Sequence, residues 1–108
     1  MPRKAEALER PPRDPDAGAA ALLLALAHPL RIRILRALWE CSCCQCDLAS
    51  KLDEHPVNIS RHLAILARAG LVTITKEGTR TYPRPSQPEI RQILEMTKRI
   101  IHKTASTS

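Results

Sequence analysis

The sequence predicts a mainly α-helical domain carrying one small β-hairpin, in the order α-α-α-α-β-β-α. Three observations lead there. Apolar residues recur at helical spacing over most of residues 16–104, and the period switches to two only between Leu71 and Tyr82. With one Trp, one Tyr and no Phe, the core has to be built from Leu, Ile, Val and Ala, which favours helices over an aromatic-rich sandwich. The 108 residues leave room for a single domain. A chain this short buries a modest core, and a dimer that shares core between subunits is a natural remedy.

Residues 1–15 carry Pro2, Pro11, Pro12 and Pro15 among charges and read as a flexible basic arm, with Arg3, Lys4, Arg10 and Arg13 available to phosphate. Asp16 is placed to cap a helix running to about His28. That helix is apolar on nearly every side, so it is expected to lie between its own core and a neighbour. Pro29 suits the first turn of a second helix, to about Glu40, in which Leu30, Ile32, Ile34, Leu35, Leu38 and Trp39 alternate with Arg31, Arg33 and Arg36. After the segment Cys41–Cys46, residues Asp47 to Leu52 make a short third helix and Asp53 to Pro56 a turn. A fourth helix runs from about Val57 to Arg68, with Ile59, Leu63, Leu66 and Ala67 on one face, and Gly70 ends it as a left-handed stop.

Leu71 to Lys76 then alternates bulky and polar residues, Glu77-Gly78 turns, and Thr79 to Tyr82 returns. A two-stranded hairpin is marginal by itself and has to lean on the helices. Pro83, Pro85 and Pro88 make the exit. The last helix starts near Pro88 and aligns Ile90, Ile93, Leu94, Thr97, Ile100 and Ile101 in one stripe. That stripe is expected to pair with the greasy first helix across a two-fold axis, leaving residues 105–108 as a tail.

Charge narrows the function. Lys and Arg number 17 against 11 acids, for a formal charge of +6 and a pI near 9.6. Such an excess suits a polyanion, and nucleic acid is the commonest. The longest apolar run, Ala19 to Ala27, is about half the roughly 20 residues a spanning helix needs. Met1-Pro-Arg-Lys-Ala has no apolar stretch directly behind it, so no signal peptide is read, no membrane is expected, and the compartment is taken as the reducing cytoplasm. No Ser-His-Asp set, paired-carboxylate pocket or glycine-rich phosphate loop is visible, and with three Gly in all nucleotide hydrolysis is excluded. The chain is not expected to be an enzyme.

Helix, short helix, tight turn, helix, hairpin is the order of a winged helix-turn-helix, whose second paired helix lies in the major groove with its N-terminal residues at base edges. Here that helix opens Val57-Asn-Ile-Ser-Arg-His62. Ile59 and Leu63 face the core, so Asn58, Ser60, Arg61 and His62 are left to project outward. Asn suits adenine, Arg suits guanine or phosphate, and Ser suits either. At the hairpin tip Lys76 and Arg80 are available to flanking phosphates, which position without specifying sequence. His62, directly before a core Leu, has an inward alternative.

All four cysteines fall within six residues, at Cys41, Cys43, Cys44 and Cys46. Simple burial accounts poorly for four thiols beside Ser42 and Gln45. The spacings Cys41/Cys44 and Cys43/Cys46 each read Cys-x-x-Cys, a thiol-exchange spacing, although the βαβ context of an oxidoreductase is absent; a disulfide-switched repressor stays open. The third reading is a thiolate site for a soft ion. Structural zinc usually draws on separated Cys pairs, whereas a pyramidal ion taking three sulfurs from one side fits one tight segment. As(III) or Sb(III) is such an ion, with Cd(II) and Pb(II) as alternatives and no organic cofactor. Residues on a helix turn about 100° each, so Cys44 and Cys46 would point nearly opposite ways. Convergence of three sulfurs is therefore expected to bend the start of the third helix, tilt the reading helix after it, and lower DNA affinity.

Leu26-Ala-His-Pro-Leu-Arg-Ile-Arg-Ile-Leu35, Cys46-Asp-Leu-Ala49, Ile59-Ser-Arg-His-Leu-Ala-Ile-Leu66 and Ala69-Gly-Leu-Val72 occur in the order and spacing of the ArsR/SmtB repressors. Over roughly residues 18–102 the chain resembles that family, its arsenic-sensing branch in particular. The resemblance implies a homodimer on double-stranded operator DNA that lets go when a metal or metalloid binds. Cys44-Gln-Cys-Asp-Leu48 is similar to the Cys-Val-Cys-Asp-Leu box of that branch, which implies Cys44 and Cys46 as two ligands. The usual third Cys just downstream is missing here, so the third sulfur is expected from Cys43 or Cys41. Cadmium sensors of the family often add Cys from the N-terminal arm, and residues 1–40 hold none. Glu89, Glu95 and His102 match the last-helix zinc ligands of other members poorly.

Overall fold

The computed structural model describes residues 14–107; the basic arm expected at residues 1–15 lies outside the described residues except for its last two. Among the described residues five helices and a hairpin follow in the expected order: α1 (Pro15–Leu26), α2 (Pro29–Glu40), α3 (Gln45–Lys51), α4 (Pro56–Arg68), β1 (Val72–Glu77), β2 (Arg80–Pro85) and α5 (Glu89–Thr107). Among the described residues no single helix is long and apolar enough to cross a membrane.

Three helices begin with Pro in the first turn, where the missing N–H costs nothing and φ is already helical. Asp14, not Asp16, caps α1: its Oδ1 accepts the Asp16 amide at 2.9 Å. Two His-Pro pairs repeat one device. His28 Nδ1 accepts the Leu30 amide and His55 Nδ1 the Val57 amide, each at 3.1 Å, so imidazoles take the capping role more often given to Ser, Thr, Asp or Asn.

Helix α4 stops as the sequence indicates. Gly70 is left-handed (φ +78°), its amide bonds Ala67 O, and the Leu71 amide reaches Leu66 O at 2.9 Å. These are the two bonds of a Schellman stop, with buried Leu66 and Leu71 in the accompanying apolar contact. The turn between α3 and α4 repeats the pattern with a non-glycine: Asp53 sits at φ +52°, its amide bonds Ser50 O, and Glu54 N bonds Ala49 O. Asp tolerates that region better than most residues.

The core is one aliphatic cluster drawn from every helix and the base of β1. Ile34, Leu35, Leu48, Ile59, Leu63, Leu66 and Leu71 are essentially inaccessible. The hairpin pairs antiparallel from Val72↔Pro85 to Glu77↔Arg80. Strand β2 extends beyond the expected Tyr82 and includes Pro83 and Pro85. A proline removes one ladder donor, which an outer edge tolerates, and Pro83 is fully buried, so it pins the strand to the helices. Arg36 pairs with Glu95 at 3.4 Å and Arg91 lies over the Trp39 ring at 5.7 Å; both contacts fasten α5 to α2. The last helix continues through Thr107, taking in residues 105–107 of the expected tail.

The stripe of α5 is only half used within the chain. Ile90 and Leu94 are buried, yet Met96, Ile100 and Ile101 are exposed, as are Leu23 and Leu24 of α1.

Candidate nucleic-acid interface and sulfur site

Helix α4 is amphipathic, and its inner face of Ile59, Leu63 and Leu66 decides which residues remain outside. Ser60 and Arg61 are exposed. Asn58 is half-buried, and its Nδ2 donates to Glu54 Oε1 at 3.2 Å, so this amide is oriented by the preceding turn. Val57, also in the first turn, is 56% exposed. An apolar side chain held in water at the tip of a reading helix can meet a thymine methyl group. Sequence patterning passed over Val57 because a lone apolar residue beside a proline carries no periodic signal.

His62 does not project with them. It is half-buried, its ring lies 4.3 Å from that of His28, and Arg31 Nη1 stands 3.1 Å from its Nδ1. The outward expectation for His62 is corrected here. It follows Ile59 by three positions, so it shares the edge of the buried face, and α2 supplies partners that only the tertiary fold brings near. Arg31, not singled out from the sequence, also donates through Nε to Ala25 O at 2.6 Å and through Nη2 to Leu24 O at 3.3 Å. One guanidinium thus meets two carbonyls at the end of α1, of which Leu24 O also accepts the Ala27 amide, while holding the reading helix.

Burial, with added repulsion from His28, Arg31 and Arg61, lowers the His62 pKa below its ordinary 6.5, partly opposed by Glu54. The unfolded chain therefore binds more protons just below that value. Stability is full above about pH 6.5 and is lost as pH falls through it toward the folded pKa. Thermal melts should shift down between about pH 7.5 and pH 5.5, and the shift should shrink in His62→Gln, which keeps an acceptor for Arg31. Identical pH dependence in both proteins would remove His62 as the cause.

At the hairpin tip Lys76 is exposed. Arg80 leans back: its Nη1 donates to Cys44 Sγ at 3.9 Å. Arg84, four residues along the same face of β2, donates through Nη1 to Ser42 Oγ at 3.2 Å. Cys44, then Tyr82 and Asp47, hold the Arg80 guanidinium above its ordinary pKa.

The sulfurs fall into two pairs. Cys41 and Cys43 are joined in a disulfide, a Cys-x-Cys closure and neither of the two Cys-x-x-Cys pairings. Cys44 and Cys46 are free thiols, the first buried and the second exposed, with their Sγ atoms 3.7 Å apart. The expectation that Cys44 and Cys46 point apart is corrected. Helix α3 begins only at Gln45, so Cys44 is its N-cap with extended backbone (φ −74°, ψ 166°), and the 100° rule does not govern the pair. These two thiols meet without any unwinding.

Sulfurs bound at about 2.3 Å to one tetrahedral ion stand about 3.8 Å apart, so the Cys44/Cys46 pair has the span of a chelate. Cys41, Ser42, Cys43, Asp47, Ser50 and Lys51 line a shallow hollow. Among the described residues no three Cys, His, Asp or Glu side chains are gathered as an ion site. The disulfide withholds the sulfurs of Cys41 and Cys43 from ion binding.

A helix pair with a capped tight turn, an amphipathic reading helix and a cationic hairpin beside it define a winged-helix DNA-binding regulator. The family described as bacterial regulatory protein, arsR family, matches residues 28–73. An HTH-type transcriptional regulator of Methanocaldococcus jannaschii, MJ1325, is 34% identical over 79 residues, covering 72% of this chain and 89% of that protein. This chain therefore belongs to the ArsR family of transcriptional regulators. The transcriptional activator HlyU of Vibrio cholerae is 33% identical over 85 residues, 79% of each protein. Its reduced form superimposes with a TM-score of 0.69 over 79% of this chain and 90% of that chain. The antimony-specific transcriptional repressor AntR is 25% identical, with a TM-score of 0.71 over 96% of this chain and 86% of its own. These relatives are regulators, not enzymes.

Proposed function

We propose that the chain is a cytoplasmic, homodimeric repressor whose hold on operator DNA is released by trivalent arsenic or antimony at Cys44 and Cys46. The observation that carries this reading is the 3.7 Å separation of two free thiols at the first turn of the helix-turn-helix. The likeness to an antimony-specific repressor supports the choice of ion. In the reducing cytoplasm a small dithiol opens the Cys41–Cys43 disulfide and is itself oxidised to a disulfide. That exchange returns two thiols, and Cys43 or Cys41 then supplies the third sulfur. Ser60 and Arg61, with the Glu54-steered Asn58, meet base edges, while Lys76 at the hairpin tip meets phosphate and Arg80 stays turned back toward Cys44. The exposed apolar residues of α1 and α5 form the dimer interface.

A second reading has one observation of its own. The disulfide between Cys41 and Cys43 beside a free dithiol suits a repressor switched by oxidation, and the same experiment separates the two. Arsenite, antimonite, cadmium, lead and zinc are titrated into reduced protein bound to a duplex from its own promoter. Parallel samples carry Cys41→Ser, Cys43→Ser, Cys44→Ser or Cys46→Ser. Arsenite or antimonite should weaken binding by about 10–100-fold, the range of a typical coupling energy, and Cys44→Ser or Cys46→Ser should abolish the effect. Release by a disulfide oxidant alone, with every ion inert, would establish the redox reading instead. Release by cadmium or lead in preference to arsenite would change the inducer and keep the site.

A further inference from the structure

With Cys44 and Cys46 already together, loading them does not demand a bent helix, so the signal needs another route to DNA. The contacts of β2 offer one. Its inner side is pinned by buried Pro83. On its other face Arg80 and Arg84 reach the loop that joins α2 to α3, at Cys44 and Ser42 respectively. The base of β1 is anchored in the core by buried Val72, and because a lone hairpin is marginal without outside support, contacts made nearer the tip bear on its angle.

We infer that Arg80 and Arg84 form a latch that sets the wing on DNA, and that the acceptor state of the Cys44 sulfur opens or closes it. This rests on the ion reading above. A thiol or thiolate at Cys44 offers lone pairs to the Arg80 guanidinium. Once that sulfur donates a pair to an ion, its charge and its capacity to accept fall together, and the guanidinium loses its partner. Arg84 and buried Pro83 then hold the base of the strand, the tip swings about Pro83, and Lys76 leaves its phosphate. Arg80 is a positioning residue in this scheme, acting through the hairpin. The raised pKa of Arg80, for which Cys44 is the largest cause, is in keeping with that pairing.

The latch is tested in two arms with the full chain under a phosphine reductant. Without ions, amide hydrogen exchange of residues 72–85 should quicken several-fold in Arg80→Gln and equally in Cys44→Ala, with no further gain in the double variant, since both remove one contact. Wild-type exchange in Arg80→Gln would overturn the latch. With arsenite as the probe, operator affinity is measured with and without it, alongside protection of Cys44 and Cys46 from alkylation by N-ethylmaleimide. Wild type should show the full release ratio, and Lys76→Gln a smaller one, because the phosphate contact that the swing breaks is already missing. Arg80→Gln should bind DNA more weakly yet fall to a ratio below about two-fold while its thiols stay protected, and Arg80→Lys should recover part of it. A weakened Arg80→Gln with an unchanged ratio makes Arg80 a plain phosphate contact and overturns the proposal. If arsenite protects neither thiol in wild type, the ion reading fails, and the exchange arm still decides the latch.

Discussion

Ile101→Glu is expected to convert the protein to a monomer and to weaken operator binding by about 100-fold or more, with its helical content unchanged. Ile101 is 66% exposed in the single chain, beside Ile100 at 61%, while Leu24 on α1 is exposed at 69%. A glutamate at such a position meets water in the monomer, so the fold has no reason to suffer, and surface changes of this kind usually stay within about 0.5 kcal/mol. In a two-fold dimer the same change enters the interface twice. Each desolvated carboxylate costs several kcal/mol, which exceeds what a small interface can absorb. The effect on DNA follows from geometry. A dimer grips two half-sites one helical turn apart, and joining two binding events raises affinity by about 10²–10⁴ over either alone. Leu24→Glu, on the other helix, should reproduce the result. Sedimentation and operator titration check both variants; a dimeric Ile101→Glu that binds normally would move the interface elsewhere.

The elements whose formation is local were legible in the sequence. Pro29 and Pro56 marked helix starts, Gly70 marked a stop, and the change of period at Leu71 marked the hairpin. The misses share a physical cause. Helix α3 begins two residues before the expected Asp47 because Cys44 caps it through its backbone alone, with no side-chain bond, and a cap of that kind leaves no compositional trace. Pro83 and Pro85 read as chain breakers, yet the strand that holds them is an outer edge. At the site the presence of a sulfur cluster was legible, but its pairing was not. Which cysteines meet depends on where α3 starts, a matter of one residue. His62 turns inward because α2, 31 residues away, places Arg31 against it, and the Arg80–Cys44 contact spans 36 residues. Helical spacing has no means of registering partners at that distance.

Leu63→Ala is expected to have the largest effect on the fold itself. Leu63 is 1% exposed, flanked on the inner face of α4 by Ile59 and Leu66, both at 0%. Removing its three outer carbons leaves a cavity among rigid aliphatic neighbours, at a cost of about 2–5 kcal/mol. Against a total stability of about 5–15 kcal/mol, that is a large share, and for a domain of this size the midpoint should fall by about 10–30 °C. Ala64, one position on and exposed, provides the contrast: Ala64→Ser should melt within about 0.5 kcal/mol of the parent. Leu63→Ala and Ile101→Glu also differ in a way that separates packing from association. Because a dimer gains stability by mass action, melts of wild type and of Leu63→Ala should rise with protein concentration. Melts of Ile101→Glu should not. A Leu63→Ala protein that melts with the parent would mean that α4 rests on the domain more loosely than its buried face requires, and the proposed contact of Ser60 and Arg61 with DNA would lose its support.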